Sequence, residues 1–534
     1  MGDIFKGSEF VGSDDERKSL GSYFTPFLFA KRARDYMDDT FGTQWRNWLV
    51  WDGSCGTKNL TSGEYFPKLY LSTLVKDELL STSCINPEAR AAFQWDFLNG
   101  EFSELPMELQ MTIMNNQPIT FFMNPPYSAN TGDGANAGNK TGGNSVDCHT
   151  KTWERMRAEK IGYSQNLWGQ FMYRIIKFKQ DYNLTNVRVA LFGNATFMTS
   201  STCESFRQFV GDNLHFQGGF TFNCNNFEGC REEWPVVFTM WSAGKTTDTT
   251  SFILNVLDED GVEVGTHNFE NGFETVFKSD NSGDGEVFGT LNINGDGLKN
   301  VSWTNMHDVD SKHADDHKRI NITADNFDKA MGYVAMSEGV QHFDFTDWSQ
   351  ISDYFAAPNY DDPEFRKFAV NAAVFNTMQC KNHITSHGSH RNQLSPIDPM
   401  TIRHWAEEVG AVEVIDDLES YNDIPFMVDF IYWGYYLLTD EAIALLDLHA
   451  RIVKKSLLYR SEYYDIHKDK SIYRWDLGYT QLLSIMKDPA LMDNFKAERK
   501  ELTKCRKALA DVLKPYVYRF GYLRSRPLFV SVDD

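Results

Sequence analysis

The sequence predicts an α/β fold with a doubly wound, Rossmann-like parallel sheet, followed by a mixed β and then α-helical region. Two observations predict the sheet. Short apolar segments alternate with helical segments over the first half of the chain, and two of the apolar segments end in abrupt turns, at 51–60 and at 124–127. Ligands of open α/β sheets bind at the carboxyl ends of the strands. We therefore expect a ligand site where these two segments end.

The first element is a helix that begins near residue 26. Thr25 suits the N-cap and Pro26 suits the first helical position, and Tyr23 belongs to the same short motif, Tyr-Phe-Thr-Pro. Because the N-terminus of a helix attracts anions, we expect this one to lie beside the carboxylate of a bound cofactor.

The first strand runs into a turn of small residues. Apolar residues 48–50 lead into the segment Trp51-Asp52-Gly53-Ser54-Cys55-Gly56-Thr57-Lys58-Asn59-Leu60. Glycine lets the backbone of such a turn approach an adenosyl cofactor closely. Turns that contain glycine are common, so this one predicts a cofactor site only together with the other motifs.

Two further strands have acidic residues at or after their ends. Residues 69–73 form a strand followed by Asp77, and residues 93–98 place Asp96 beside Phe97 at a strand end. Carboxylates in these places can accept hydrogen bonds from ribose hydroxyls or from an adenine amino group. Both strand ends are therefore candidates for binding the cofactor.

A fourth strand ends in Asn124-Pro125-Pro126-Tyr127. Proline donates no N–H, so the strand stops at Asn124. Asn124 Oδ1 and the Pro125 carbonyl can both accept from one exocyclic amino group, and Tyr127 offers a flat face for stacking. These groups suit an adenine that has left its base stack. A rigid turn without chemistry is the alternative for an isolated tetrapeptide, and the neighbouring motifs favour the functional interpretation.

In this order, the motifs resemble those of the gamma-ordered DNA adenine-N6 methyltransferases found in restriction-modification systems and bacteriophages. The resemblance covers residues 18–245. It implies S-adenosyl-L-methionine as cofactor, double-stranded DNA as substrate, and methylation of N6 of a flipped-out adenine. The implied cofactor-binding residues are Tyr23, Thr25, Pro26, Asp52, Cys55, Gly56, Asn59, Asp77, Asp96 and Phe97. The implied catalytic residues are Asn124, Pro125, Pro126 and Tyr127.

The chain departs from the family pattern at three positions. Gly53 stands where the family usually has proline, and Lys58 stands where it has a small residue, often glycine. The Lys58 side chain either points to solvent or alters cofactor binding. Thr73 occupies the place of the usual acidic residue, so ribose recognition is assigned to Asp77, which lies farther on.

A change in composition after residue 245 predicts a domain boundary. We expect residues 1–245 to form the methyltransferase domain and residues 246–534 to form a DNA target-recognition region, β-rich over 246–330 and mainly helical over 400–534. Three substrate-binding residues are predicted. Phe227, before a late strand, would complete the stack on the target base, and Arg391 and Asn392, in a polar loop, would read guanine and adenine. The histidines of that loop lack the spacing of metal ligands, so no metal site is predicted.

Composition predicts a protein of the cytoplasm, and the resemblance implies a bacterium or a phage-infected host cell. No apolar run is long enough to span a bilayer, and the eight cysteines include no Cys-x-x-Cys pair. The net charge of −22 opposes attraction to phosphates. Residues 451–534, however, hold 18 Lys and Arg against 11 Asp and Glu. We expect some of these cations, among them Lys504, Arg506 and Lys507, to contact DNA phosphates.

Other functions stay open at this point. The same acceptors fit any planar group that bears an amino group, so RNA bases and protein glutamine are alternative substrates. Cytosine-N4 methylation is chemically close, although enzymes of that type more often have serine at the position of Asn124. A third alternative is a catalytically altered, methyltransferase-like DNA-recognition or defence-system interaction protein, which would act with a restriction or defence-system partner. Binding of S-adenosylmethionine would separate this last alternative from the enzymes.

Overall fold

A computed structural model of the protein describes residues 24–81, 89–127, 148–200, 203–227, 230, 233–271, 285–293, 305–307, 318–343, 348, 358–378, 385–386, 391–392, 394–411, 426–467, 479–522 and 528. The chain divides into two compact units. The first comprises Met1–Gly272 with Asp347–Asp353, and the second comprises Phe273–Thr346 with Tyr354–Asp534.

The described strands of the first unit form a single nine-stranded sheet. These strands are β1 (Leu49–Asp52), β2 (Leu69–Thr73), β3 (Ala91–Gln94), β4 (Ile119–Met123), β5 (Val187–Asn194), β6 (Leu214–Asn223), β7 (Pro235–Ala243), β8 (Ser251–Leu257) and β9 (Glu263–Glu270). The helices are α1 (Phe27–Phe41), α2 (Lys76–Ser81), α3 (Met107–Met114), α4 (Lys151–Ala158), α5 (Leu167–Asp181), α6 (Thr196–Thr199) and α7 (Glu204–Asn213), with 3-10 turns at Thr43–Asn47, Phe102–Glu104 and Cys224–Asn226.

The strand order confirms the predicted doubly wound α/β fold. It is β3-β2-β1-β4-β5-β7-β6-β8-β9, and the first five strands of this order are parallel. The chain leaves β1 towards β2 on one side and returns to β4 on the other, so the order reverses between β1 and β4. Open α/β sheets bind ligands at this reversal, beyond the carboxyl ends of the strands. Asp52 ends β1 and Asn124 follows β4, so both candidate motifs lie there.

Burial explains why these segments form central strands. All residues of β1, β2 and β4 are buried, as expected for parallel strands covered by helices on both faces. The bounds of β2 are those predicted, and β4 ends at Met123, one residue before the predicted end. Two prolines follow Asn124 and cannot continue the ladder of backbone hydrogen bonds.

The first unit extends past the boundary predicted at residue 245. β8 pairs in parallel with β6, and β9 pairs antiparallel with β8, so residues 251–270 widen the sheet of the first unit. The unit then continues to Gly272. Strand pairing is a long-range property, and the turn-rich composition of this segment does not reveal which sheet its strands join. That the region beyond recognises DNA targets stays a prediction.

The second unit combines small sheets with many helices. Its described strands are β10 (Gly289–Ile293), β11 (Asn305–His307), β12 (Lys318–Ile322), β13 (Thr385–Ser386) and β14 (Arg391–Asn392). Its described helices are α8 (Phe327–Phe343), α9 (Phe365–Thr377), α10 (Pro399–Val409), α11 (Phe426–Gly434), α12 (Asp440–Leu458), α13 (Arg460–Ile466), α14 (Tyr479–Lys487) and α15 (Lys496–Arg519), with 3-10 turns at Tyr435–Leu437 and Met492–Phe495.

One apolar core holds the second unit together. The central helix α9 is buried at almost every position and packs against α8 and α15, while Leu291, Ile320 and Ile322 contribute from the three-stranded sheet. The expected sequence of a β-rich part followed by a mainly helical part is confirmed. In the described parts of the chain, no helix has both the length and the apolar character needed to cross a membrane.

Candidate functional site at the carboxyl ends of the strands

A cavity of about 270 Å³ opens at the carboxyl ends of β1, β2, β3 and β4. Its walls come from the loops that follow these strands and from the segment before α1. The structure brings seven of the ten predicted cofactor-binding residues together around it, namely Thr25, Asp52, Cys55, Gly56, Asn59, Asp96 and Phe97. Asn124 and Pro126 of the predicted catalytic tetrapeptide line the same cavity.

The other three predicted cofactor-binding residues do not line the cavity in the described structure. Tyr23 lies outside the described residues. Pro26 precedes α1 and is absent from the lining. Asp77 lies in α2, and its side chain is outside the described part of the structure. Pro125 of the tetrapeptide is buried and is not among the residues that line the cavity.

Asp52 is the most deeply buried acidic group of the cavity. Its side chain is 1% exposed, and Oδ1 accepts a hydrogen bond of 3.1 Å from the backbone N–H of Ser54. Oδ2 is buried and has no hydrogen-bond partner among the described residues. Removal from water raises the pKa of the Asp52 carboxyl to about 8, because burial penalises the charged form. A cationic donor at Oδ2 would relieve both the missing hydrogen bond and the penalty on the charge.

Two glycines shape the turn after β1. A Cβ added at Gly53 would lie 2.3 Å from Phe97 Cδ2, and one at Gly56, where φ is +42°, would lie 2.9 Å from Phe24 Cε1. Aromatic rings therefore approach the backbone of the turn as closely as glycine permits. At position 53 this packing leaves no room for the proline that the family usually has there.

Lys58 does not point to solvent, which was one of the two alternatives expected for it, while an effect on cofactor binding stays a prediction. Its side chain is 2% exposed, so it does not point to solvent, and it is absent from the cavity lining. Nζ instead donates to the Leu79 carbonyl, at 3.4 Å, near the end of α2. The backbone at Lys58 has φ of 61°, in the left-handed region that favours glycine. The long side chain thus reaches α2 and does not line the cavity.

Glu78 is the acidic residue that reaches the cavity from the end of β2. Its carboxylate accepts a hydrogen bond from the hydroxyl of Thr73, the last residue of that strand, and both residues line the cavity. Burial raises the pKa of the Glu78 carboxyl above its usual value. Ribose recognition was predicted for Asp77, one residue earlier, and stays a prediction because the Asp77 side chain is outside the described part of the structure. The hydroxyl of Thr73, at a strand end and five residues away, is the signal that could have identified Glu78.

Asp96 and Phe97 occupy the end of β3 as predicted. Asp96 Oδ1 accepts from the backbone N–H groups of Leu98 and Asn99, and its Oδ2 accepts from Asn99 Nδ2 at 2.8 Å. The carboxylate therefore holds the loop in place and retains one further lone pair, on Oδ2. The ring of Phe97 stacks on that of Phe171, with centroids 4.7 Å apart and planes 2° apart.

The Asn124 carboxamide is held at both ends. Nδ2 donates to Thr25 Oγ1 at 2.9 Å, and Oδ1 accepts from the Tyr127 hydroxyl at 2.6 Å. The Thr25 carbonyl accepts from Asn59 Nδ2 at 3.0 Å, so Thr25 connects the cofactor turn to the tetrapeptide. Sequence reasoning missed this connection, which joins residues far apart in the chain.

Thr25 is not the N-cap of α1, and that prediction is wrong. The cap position belongs to Pro26, whose ψ of 143° is extended, and no side chain caps the helix there. The helix begins at Phe27, one residue later than predicted. The Thr25 side chain, 3% exposed, is turned instead towards Asn124.

Tyr127 packs in an aromatic cluster with Phe227 and Trp234. Its ring meets that of Trp234 edge-on, with centroids 5.8 Å apart at 82°, and that of Phe227 at 6.3 Å and 61°. Phe227 is only 2% exposed and also contacts Phe222. The rings of Tyr127 and Phe227 are therefore not parallel, and no slot for a base lies between them in this conformation. In this state Phe227 supports Tyr127 from the core.

The predicted base-reading residues lie in the second unit. Arg391 and Asn392 form β14, which pairs antiparallel with β13 in a two-stranded ribbon. Their side chains are outside the described part of the structure. Their role in base recognition stays a prediction.

The protein resembles known proteins only at low identity. No protein-family model matches the chain, and no curated protein matches it. DrdV, solved as a complex with DNA, has 14% identity and a TM-score of 0.32, over 48% of this chain and 29% of DrdV. The type IIL restriction-modification enzyme MmeI, in complex with DNA, has 9% identity and a TM-score of 0.35, over 54% of this chain and 46% of MmeI. The M protein of the type I restriction enzyme EcoKI has 14% identity and a TM-score of 0.28, over 46% of this chain and 50% of the M protein. The chain thus spans half or less of the length of these three proteins.

Proposed function

We propose that the protein is a DNA methyltransferase that transfers the methyl group of S-adenosyl-L-methionine to N6 of an adenine rotated out of a DNA duplex. The observation that carries this proposal is the carboxamide of Asn124. It lies at the reversal point of the sheet, at the edge of the cavity, and is fixed by Thr25 on one side and Tyr127 on the other.

The cavity suits S-adenosylmethionine chemically. The cofactor has an ammonium group and a sulfonium group, and the cavity offers the carboxyl groups of Asp52, Glu78 and Asp96. The buried, unpartnered Oδ2 of Asp52 suits an ammonium donor. Glu78, with Thr73, would accept from ribose hydroxyls, and Asp96 and Phe97 would bind the adenine ring. When bound, S-adenosylmethionine supplies an electrophilic methyl group.

The tetrapeptide suits activation of an aromatic amino group. The N6 lone pair of adenine is delocalised into the ring and is a weak nucleophile. Acceptance of its two N–H groups by Asn124 Oδ1 and the Pro125 carbonyl would draw the nitrogen towards tetrahedral geometry and stabilise its developing positive charge. One proton would leave to water once the new N–C bond has formed. Since these groups are held before the substrate arrives, little reorganisation is needed.

Tyr127 would bind the flipped base through its ring face. Moving a base out of the duplex requires a few kcal/mol, which stacking on an aromatic side chain offsets in part. The Tyr127 hydroxyl would meanwhile hold Asn124 Oδ1, so the residue would have a second task as a positioning group.

DNA is the favoured substrate because of the size of the second unit. A small amino-bearing substrate, such as a protein glutamine, needs no second unit of this extent. We infer that this unit recognises the DNA target and that Arg391 and Asn392 belong to its base-reading part. A restriction or defence-system partner protein is part of the same proposal, as is a location in the cytoplasm.

The direct test offers three acceptors to the full chain with isotopically labelled S-adenosylmethionine. These are genomic DNA from a methylation-deficient bacterium, a structured RNA pool, and a protein rich in exposed glutamine. Nucleosides and peptides are then identified by mass spectrometry. The proposal predicts label in DNA as N6-methyldeoxyadenosine. Label in RNA, in protein or as N4-methylcytosine would replace it with one of the alternatives, and absence of cofactor binding would indicate a catalytically altered protein.

A further inference from the structure

The long helix α15 has a row of lysines on one face. Lys496, Lys500, Lys504 and Lys507 are all exposed. Successive residues of an α-helix are rotated by about 100°, so these four lie within an arc of about 80° and extend over about 16 Å. We call this set the lysine face. Asp511 is the exposed acidic residue within the same arc.

The part of the chain that the structure describes does not neutralise the lysine face by ion pairing. Among the residues that the structure describes, no carboxylate lies within salt-bridge distance of any of the four ammonium groups. Two other carboxylates of α15 are engaged with cations of α12. Glu501 binds Arg451 at 2.5 Å, and Glu498 binds Lys455 at 2.7 Å.

Cations on the neighbouring helix α12 behave differently. Arg451, Lys454 and Lys455 each form an ion pair, the second of them with Glu408 of α10. The contrast is informative because the chain carries a net charge of −22 and has carboxylates in excess. Like charges three or four residues apart on a helix repel each other. A row of unpaired lysines in so acidic a protein therefore points to an anion that the protein does not itself contain.

We propose that the lysine face binds the phosphate backbone of duplex DNA. This inference rests on the proposed function and identifies the surface that such a function needs. A length of about 16 Å corresponds to about five base pairs at 3.4 Å each, so one edge of a groove can follow the helix. Lysine binds phosphate as a point charge without reading bases, so the contact is independent of sequence.

The structure changes which cations of this helix are assigned to DNA. Lys504 and Lys507, predicted from sequence, belong to the lysine face, and Lys496 and Lys500 join them. Arg506 is half-buried and lies on a different side of the helix, next to the core, so it is not part of the face. The angular position of each residue around the helix distinguishes the cations of the lysine face from Arg506. Their positions in the sequence, which are close together, do not.

The test measures how binding of a 30-base-pair duplex of arbitrary sequence depends on salt, by fluorescence anisotropy. One variant changes Lys500 and Lys507 to Gln. The matched control changes Lys68 and Lys245 to Gln, which gives the same net charge. Both control lysines are exposed and lie at the amino ends of the parallel strands, opposite the cavity. Lys68 directly precedes β2. Lys245 follows the end of β7, where Ser242 pairs with Arg188 near the start of β5.

Each phosphate contact contributes about 0.9 to the slope of log affinity against log salt concentration, so the Lys500/Lys507 variant should lower the slope by about 1.8. The control should bind as the original chain does. Circular dichroism confirms that both variants are folded. If the original chain binds DNA and the two variants bind equally well, the lysine face is wrong while the proposed function stands. If the original chain binds no duplex at low salt, the proposed function itself fails.

Discussion

Asn124 Nδ2 lies 2.9 Å from Thr25 Oγ1, although the two residues are 99 positions apart in the chain. Thr25 precedes the first helix of the sheet, and Asn124 follows its fourth strand. The bond holds the carboxamide with its nitrogen towards Thr25 and its oxygen towards the Tyr127 hydroxyl. The orientation of the proposed acceptor is thus set by a residue outside the tetrapeptide.

Thr25 is therefore expected to act as a positioning residue. Thr25→Val keeps the shape but removes the acceptor of the Asn124 N–H, and loss of one hydrogen bond of about 1 to 1.5 kcal/mol should lower kcat about tenfold. Affinity for S-adenosylmethionine, measured by calorimetry, should change by less than about twofold. Thr25→Ser retains the hydroxyl and should restore kcat. A serine variant as slow as the valine variant would assign Thr25 a packing role instead.

Asp52 should make the stability of the ligand-free protein depend on pH. The pKa of this carboxyl rises from an ordinary value of 3.8 to about 8 in the folded protein. Because the folded pKa is the higher one, ionisation disfavours folding, and stability is lost as pH rises from about 4 to 8. Asp52→Asn removes this effect. The Tm of the variant relative to the original chain should therefore increase between pH 5 and pH 8 and level off above. A Tm difference between the two proteins that is constant with pH would contradict the raised pKa of Asp52.

Two adjacent acidic residues allow a matched comparison of variants that tests the proposed ribose recognition. Glu78→Gln and Asp77→Asn remove the same charge from neighbouring positions of α2. Of the two, Glu78 is the one whose side chain is described, and it lines the cavity. Glu78→Gln should weaken binding of S-adenosylmethionine about tenfold, the effect of losing a hydrogen bond to a carboxylate. Asp77→Asn should have little effect. The opposite order of effects would return ribose recognition to Asp77, as the sequence alone predicted.

Much of the catalytic sheet could be predicted from sequence because its signals are local. The apolar run of β2 is bounded by residues that do not continue it, and prolines end β4. The carboxyl ends of parallel strands share one edge, so residues on separate strands could be placed in one site before any contact was known.

Details that depend on distant partners could not be predicted. The preference of threonine for N-cap positions suited Thr25, but a hydrogen bond from Asn124 determined the orientation of its side chain. The course of Lys58 depends on the Leu79 carbonyl of a later helix, and the pairing of β8 depends on β6. In each case the competing interaction lies too far along the chain for a local pattern to reveal it.

The central claim is that Asn124 activates the target amino group while the cofactor binds separately. The most direct measurement compares Asn124→Ala with the original chain, both for transfer of labelled methyl to adenine N6 in DNA and for affinity to S-adenosylmethionine. Removing one preorganised polar group should lower transfer by at least about a hundredfold, with cofactor affinity little changed. Near-normal turnover of the variant would contradict the mechanism. Parallel loss of cofactor binding would instead assign Asn124 to the cofactor site.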